Sequence, residues 1–282
     1  MGKFIKRFAR HRLGIIGAVI LLTLGIVAVF APQIAPYDPN EIDTSRLPKP
    51  GMPAPPSKEF LWGTDDLGRD YLSRAIYGSR ISMSVGFISM GIATLVGTAV
   101  GAISGYFGGR IDTILMRIVD ILLCFPTFFL VLTVQATLKP SLYNVMIIIG
   151  LTGWMHIARL VRAEFLSLRE REFVEAARAL GFDDFRIVFK HVLPNAMGPV
   201  IVAATLGIPG AILTESSLSF LGLGVQPPTS SWGSMLTKAQ VYMRSAWWVV
   251  FYPGILISIT VLSFNFLGDA LRDALDPRSR LR

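Results

Sequence analysis

Long apolar runs alternate with short polar stretches along this chain. Six runs stand out, at about 13–31, 82–106, 114–138, 142–161, 196–221 and 246–268. A helix rises roughly 1.5 Å per residue, so about 20 apolar residues cross a hydrocarbon core of about 30 Å. The pattern predicts an all-α membrane protein with about six transmembrane helices. The first run is longer than the core of a signal peptide, which is usually 7–15 residues, and reads as a retained first helix.

The polar segments set the orientation. An even number of crossings puts both termini on one side. Lys3, Lys6, Arg7, Arg10 and Arg12 precede the first run, and Arg272, Arg278, Arg280 and Arg282 follow the last. The loop 162–195 carries Arg162, Arg169, Arg171, Arg178, Arg186 and Lys190. All three segments share a side, and the positive-inside rule makes it cytoplasmic. Segment 32–81 then lies outside despite Arg46, Lys49, Lys58, Arg69, Arg74 and Arg80, because the rule weakens for long loops. Its first part, to about Pro56, is proline-rich and predicted to be irregular. From Asp65 to Arg80, Leu67, Tyr71, Leu72, Ala75 and Ile76 recur at helical spacing and predict an amphipathic helix on the outer surface, leading into the second span. The chain divides into 1–81, a basic start with the first helix and the long outer loop, and 82–282, the core transmembrane domain.

Composition agrees. Of the 282 residues, 52% are hydrophobic and 16% charged, against about 25% charged in a soluble domain. The net charge of +8 is the orienting excess of a membrane protein. No basic patch is interleaved with base-stacking aromatics, so nucleic acid is not a partner. The single cysteine, Cys124, makes neither an intrachain disulfide nor a cysteine zinc site. His11, His156 and His191 are scattered, and neither a zinc-hydrolase pattern nor a phosphate-binding loop of the G-x-x-x-x-G-K-[ST] type is present. No catalytic residue, metal site or cofactor is assigned.

Within the runs, Gly97, Gly101 and Gly105 form one row of small residues, and Ala203, Gly207 and Ala211 another. Such rows let helices approach closely in lipid, within a bundle or between subunits. Pro126 and Pro209 are expected to kink their helices. Arg117 and Asp120 stand three apart, ready to pair with each other or with a neighbouring helix. Tyr242, Trp247, Trp248 and Tyr252 resemble an interfacial aromatic belt. Glu215 lies near the outer end of an apolar run. An acid at that depth either lines a solute path, with Ser216 and Ser219, or makes a structural hydrogen bond.

Loop 162–195 reads as two helices with a sharp break. Phe165, Leu168, Glu172, Phe173, Ala176, Ala177 and Leu180 form one largely apolar face. Gly181 sits where a left-handed residue closes a helix. Asp183 is an N-cap for a second short helix, Phe182 and Ile187 form its hydrophobic staple, and Pro194 ends it. Such a hairpin either packs under its own bundle or offers a docking surface. Periodicity does not choose between them.

Glu175-Ala176-Ala177, then Gly181, then Leu193-Pro194, resembles the EAA loop of ATP-binding-cassette importer permeases. Gly63-Thr64-Asp65-Asp66-Leu67-Gly68-Arg69-Asp70 with Ser73-Arg74, Gly78 and Arg80-Ile81-Ser82 is similar to the stretch before the second span in C subunits of dipeptide and oligopeptide permeases. So are Leu213 through Gly224, then Pro227-Pro228 and Ser231-Trp232-Gly233, and Gly268-Asp269 through Arg278. Ser230 departs from the proline of many relatives, which affects loop stiffness. The resemblance covers nearly the whole chain. It implies the type I importer permease fold and a place in the plasma (inner) membrane of a prokaryote. It also implies a heterodimer with a homologous B-type permease, two ATPase subunits that bind ATP and Mg, and an extracytoplasmic solute-binding protein. The implied role is passage of di- or oligopeptides, with nickel chelates or another small solute as the alternative. An ATP-independent secondary transporter is the reading from a different class, and it leaves the polar loop unexplained.

Overall fold

The computed structural model describes residues 7–9 and 11–275. Lys3, Lys6, Arg10, Arg278, Arg280 and Arg282 of the orienting charge, and Asp276-Pro277-Arg278 of the C-terminal similarity, lie outside the described residues. Helix α1 (Arg12–Val29) starts at His11, whose Nδ1 accepts the Gly14 N–H at 3.2 Å. A short turn, α2 (Ala31–Ile34), leads into the outer segment. That segment is irregular, as its prolines predict: between residues 35 and 70 it holds only a 3-10 turn at Thr44–Arg46 and two isolated bridges.

Helix α3 runs unbroken from Tyr71 to Phe107. Asp70 caps it by accepting the Ser73 N–H at 2.7 Å. This corrects the expected surface helix over 65–80. Leu67 lies in a turn before the helix, and the remainder is the outer end of the second span. It does not lie on a surface: Tyr71, Arg74, Ala75 and Ile76 are all buried. The helical spacing was real, but the polar side is covered by protein instead of water. The helix also crosses residues 81 and 82, the boundary drawn from the apolar runs.

The third run is two helices, α4 (Gly109–Leu123) and α5 (Thr127–Thr137), which meet at 81°. Pro126 accounts for the break: it has no N–H to donate and disfavours helical geometry at Phe125. Helix α6 spans Leu142–Arg169. Next come α7 (Glu172–Ala179), α8 (Asp184–Ile187), a π-helical turn at Val188–Val192, and α9 (Leu193–Phe220). Two four-residue helices, α10 (Trp232–Met235) and α11 (Ala239–Tyr242), precede α12 (Trp248–Leu275).

Pro194 does not end a helix. From Asp184 to Phe220 the chain is one helical path of 37 residues. The wider π turn just before Pro194 accommodates its ring and missing donor. Pro199 and Pro209 likewise lie inside α9. Five helices among the described residues are long and apolar enough to cross a membrane, and a sixth crossing results if the bent α4–α5 pair is one span.

Helix α3 is the hub, packed on α6, α9 and α1. Its glycine row settles into α6. A Cβ on Gly97 would lie 2.7 Å from Ile157 Cβ, one on Gly101 2.5 Å from the Ala158 carbonyl oxygen, and one on Gly105 2.6 Å from Phe165 Cβ. The row therefore serves packing inside this chain.

Candidate functional site

Two groups of sequence-selected residues lie at opposite ends of the bundle. At the cytoplasmic end, α7 closes in a Schellman motif. The Phe182 N–H donates to the Ala177 carbonyl at 3.1 Å and the Gly181 N–H to that of Arg178 at 2.9 Å, with Gly181 at φ +78°. Asp183 caps α8 by accepting the Arg186 N–H at 3.0 Å. Ile187 is fully buried, with Phe182 packed against the same cluster as the staple requires. The elbow is thus fixed by backbone hydrogen bonds on both sides of Gly181.

The faces of the hairpin divide. Val174, Ala177, Ile187 and Val192 pack into a cluster with Val161 and Phe165 of α6 and Ala196 and Val200 of α9. Glu175, Ala176 and Leu180 stay exposed, as does Phe173. Leu180 keeps 74% of its surface and Phe185 71%, which is unusual for large apolar side chains outside the lipid. Leu193 and Pro194 form the first turn of α9. The hairpin therefore packs under its own bundle on one side and leaves an apolar side open. Phe165 and Leu168 belong to α6 and not to the hairpin helix, because the chain breaks at Glu170 and Arg171.

Polar contacts gather where the spans meet this hairpin, and one of them, from Tyr106, reaches the hairpin itself. The Tyr106 hydroxyl at the end of α3 donates to Asp184 Oδ1 at 2.6 Å. Asp112 of α4 accepts from Ser104 of α3 at 2.5 Å and from Arg162 of α6 at 2.5 and 2.6 Å. Arg169 donates to the terminal carbonyls of Gly105 and Tyr106, both at 3.3 Å. Asp120 pairs with Arg159 of α6, so it takes the neighbouring-helix option and not Arg117. Each pair is more than 35 residues apart in sequence or crosses a helix end, and periodicity carries no signal for it.

At the outer end, Glu215 is fully buried in α9. Its Oε1 accepts from Ser219 Oγ and Ser231 Oγ, each at 2.7 Å, and Ser216 Oγ lies 3.5 Å from Oε2. Ser231 also forms a capping box with Ser234 that starts α10. Trp232, fully buried, donates its backbone N–H to Ser82 Oγ and its indole N–H to the Ala75 carbonyl, both at 3.0 Å. Ser230 Oγ donates to the Arg74 carbonyl at 2.9 Å. Glu215 thus ties the 222–237 segment to α9, and Ser230 and Trp232 tie it to α3. The predicted aromatic belt divides here: Trp247 is exposed, but Trp248 is buried, and Trp62 stacks on Tyr252 at 4.2 Å.

Comparison with known proteins settles the family. Residues 97–281 match the family of binding-protein-dependent transport system inner membrane components. The chain belongs to that family. Residues 1–56 match the N-terminal transmembrane domain of oligopeptide transport permease C. The dipeptide transport system permease protein of Alkalihalophilus pseudofirmus is 44% identical, over 98% of this chain and 89% of that one. The oligopeptide transport system permease protein of Bacillus subtilis is 41% identical, over 97% and 88%. A chain in the inward-facing structures of the MetNI methionine ABC transporter has a TM-score of 0.59 at 21% identity, covering 73% of this chain and 97% of that one. That last likeness concerns the fold. This permease is a multi-pass inner membrane protein of a bacterial ABC transporter complex, and ATP hydrolysis belongs to separate ATPase subunits.

Proposed function

We propose that this chain is the C-type permease of an importer for di- or oligopeptides, paired with a homologous B-type permease. One of the two ATPases seats on the Glu172–Pro194 hairpin, and an extracytoplasmic binding protein delivers the solute. The observation that carries the docking reading is the open apolar side of an otherwise rigid hairpin: Leu180 and Phe185 are exposed beside Glu175 and Ala176, while Gly181 holds the elbow. Exposed apolar patches of this kind mark contact surfaces. The peptide reading rests on relatives named for dipeptides and oligopeptides that match over nearly the full chain.

Energy from the ATPases would reach the spans through α8, which continues directly into α9. The solute would pass between the two permeases by alternating access. Glu215, Ser216 and Ser219 are retained as candidates for the outer part of that path. The buried serine contacts of Glu215 support a positioning part in holding the outer segment.

The test is reconstitution. The tagged permease should co-purify with a second permease and two ATPases and drive ATP-dependent uptake of a labelled dipeptide into vesicles. Transport by the chain alone without ATP would refute the reading, and uptake of a nickel chelate but no peptide would replace the solute. Glu215→Gln with unchanged uptake would remove Glu215 from the path.

A further inference from the structure

We propose that the inner wall of the solute path is one face of α4 with the adjoining turn of α6, leading to a cavity headed by His156. This rests on the importer reading above and assigns the inner part of the path, at the end of the bundle away from Glu215. Helix α4 carries three stripes. Asp112, Met116 and Val119 face α6, where Asp112 meets Arg162 and the other two pack with Met155 and Ala158. Ile111, Ile114, Ile118 and Ile121 form an exposed apolar stripe. Thr113, Arg117, Asp120 and, just past the helix, Cys124 form a second exposed stripe, which is polar. At roughly 100° per residue, the two exposed stripes lie about 100° apart around the helix.

The two exposed stripes need different surroundings. Helix α4 is the first half of the bent α4–α5 pair. Lipid covers isoleucine readily, but charged side chains in a spanning segment face protein or a water-filled cavity. The polar stripe continues past the end of α4. Asp120 pairs with Arg159 of α6, one helical turn from His156, and Thr127 opens α5. Thr127 and His156 line a cavity of about 320 Å³ with Thr152 of α6 and Gly207, Gly210 and Thr214 of α9. Water or a second permease can cover such a surface, and its hydrogen bonds favour water. Asp120 already has Arg159, while the Thr152 and Thr214 hydroxyls donate to the Ile148 and Gly210 carbonyls of their own helices, each at 2.8 Å. These groups demand no fixed complement from another subunit. A path that must release its solute holds it weakly, and a wall satisfied within its own chain does so. His156 is exposed at the cavity. Its neutral imidazole can both donate to and accept from a passing peptide.

Thiol labelling of the assembled transporter tests this, because a thiol reacts as the thiolate and needs water around it. In a Cys124→Ser background, Thr113→Cys, Arg117→Cys and His156→Cys sample the polar wall, and Ile114→Cys and Ile118→Cys the apolar stripe. Inside-out vesicles holding the whole complex are treated with the anionic reagent sulfonatoethyl methanethiosulfonate, and labelling of this chain is read by mass spectrometry. The three wall positions should react and the two isoleucine positions should not, and labelling at 156 should abolish ATP-driven uptake. Wall positions that react no faster than the isoleucine positions would overturn the proposal, because the stripe is then covered by the second permease or by lipid. So would full uptake after complete labelling at 156. Should His156→Cys fail to assemble, Thr127→Cys reports on the same cavity with the same two outcomes. The labelling pattern does not depend on which solute is carried. A complex that labels as expected but imports no peptide keeps the wall and loses the peptide reading, whereas one that imports peptide with uniform labelling loses the wall alone.

Discussion

Truncating Glu215 to alanine would leave the Ser219 and Ser231 hydroxyls without their shared acceptor inside a fully buried site. Each orphaned buried hydroxyl costs about 1–3 kcal/mol. Glu215→Ala should therefore lower the thermal unfolding midpoint of the purified complex and expose the 222–237 segment to protease, whereas Glu215→Gln keeps a carbonyl acceptor and should stay close to the parent. Equal melting of the alanine variant and the parent would show that the knot is not holding the segment. Gly181 offers a different case. A Cβ there meets nothing within 4 Å, yet φ is +78°. Gly181→Val is thus strained by backbone conformation alone, by about 1–2 kcal/mol for a left-handed residue. The variant should insert and assemble but hydrolyse more ATP per solute imported. An unchanged ratio would count against the docking role. Gly181, Asp183 and the staple were readable because capping chemistry is local, confined to a few adjacent positions. The partners of Glu215 were not, because Ser231 is 16 residues away across a turn that no periodicity describes.

Among the elements, the junction of α3 with the hairpin is the most direct mechanical link. The Tyr106–Asp184 hydrogen bond joins the cytoplasmic end of α3 to the first turn of α8, and Arg162 and Arg169 hold the neighbouring ends of α4 and α3. Tyr106→Phe removes one hydroxyl and preserves the ring beneath Arg178. Assembly should survive, with stability lowered by about 1 kcal/mol, the net worth of one hydrogen bond. The informative readout is the ATP-to-solute ratio, which a purely structural bond would leave alone and a force-bearing one would raise. Along α3, Gly101→Leu should do more damage, because its added atoms would meet the Ala158 carbonyl at 2.5 Å and Val161 Cβ at 2.7 Å. Loss of the assembled complex from membranes would show it. The apolar runs foretold most of these elements, but not that the 71–80 stretch is buried or that α8 is continuous with α9. Helical periodicity reports a helix without saying whether protein, water or lipid covers each face. A proline after a polar helix reads as a stop unless a π turn absorbs it.

For the whole molecule, the sharpest question is set by the 81° bend between α4 and α5. A broken pair either crosses the membrane or enters and returns. The two choices differ in everything downstream, because a returning pair would place Lys139 inside and the 162–195 loop outside. That loop carries six basic residues, and moving it outward would contradict both the charge bias and the observed packing of the hairpin beneath α3 and α6. A crossing pair keeps the hairpin, the ends of α3 and α6 and the basic N-terminus on one side. In a Cys124→Ser background, the exposed positions Lys58, Lys139 and Lys190 can each be changed to cysteine and labelled with a membrane-impermeant maleimide. Lys58→Cys and Lys139→Cys should react in intact spheroplasts, and Lys190→Cys only after permeabilisation. Reaction of Lys139→Cys only after permeabilisation would make α4–α5 a returning loop. It would then remove the hairpin from the ATPase side, and with it the docking reading.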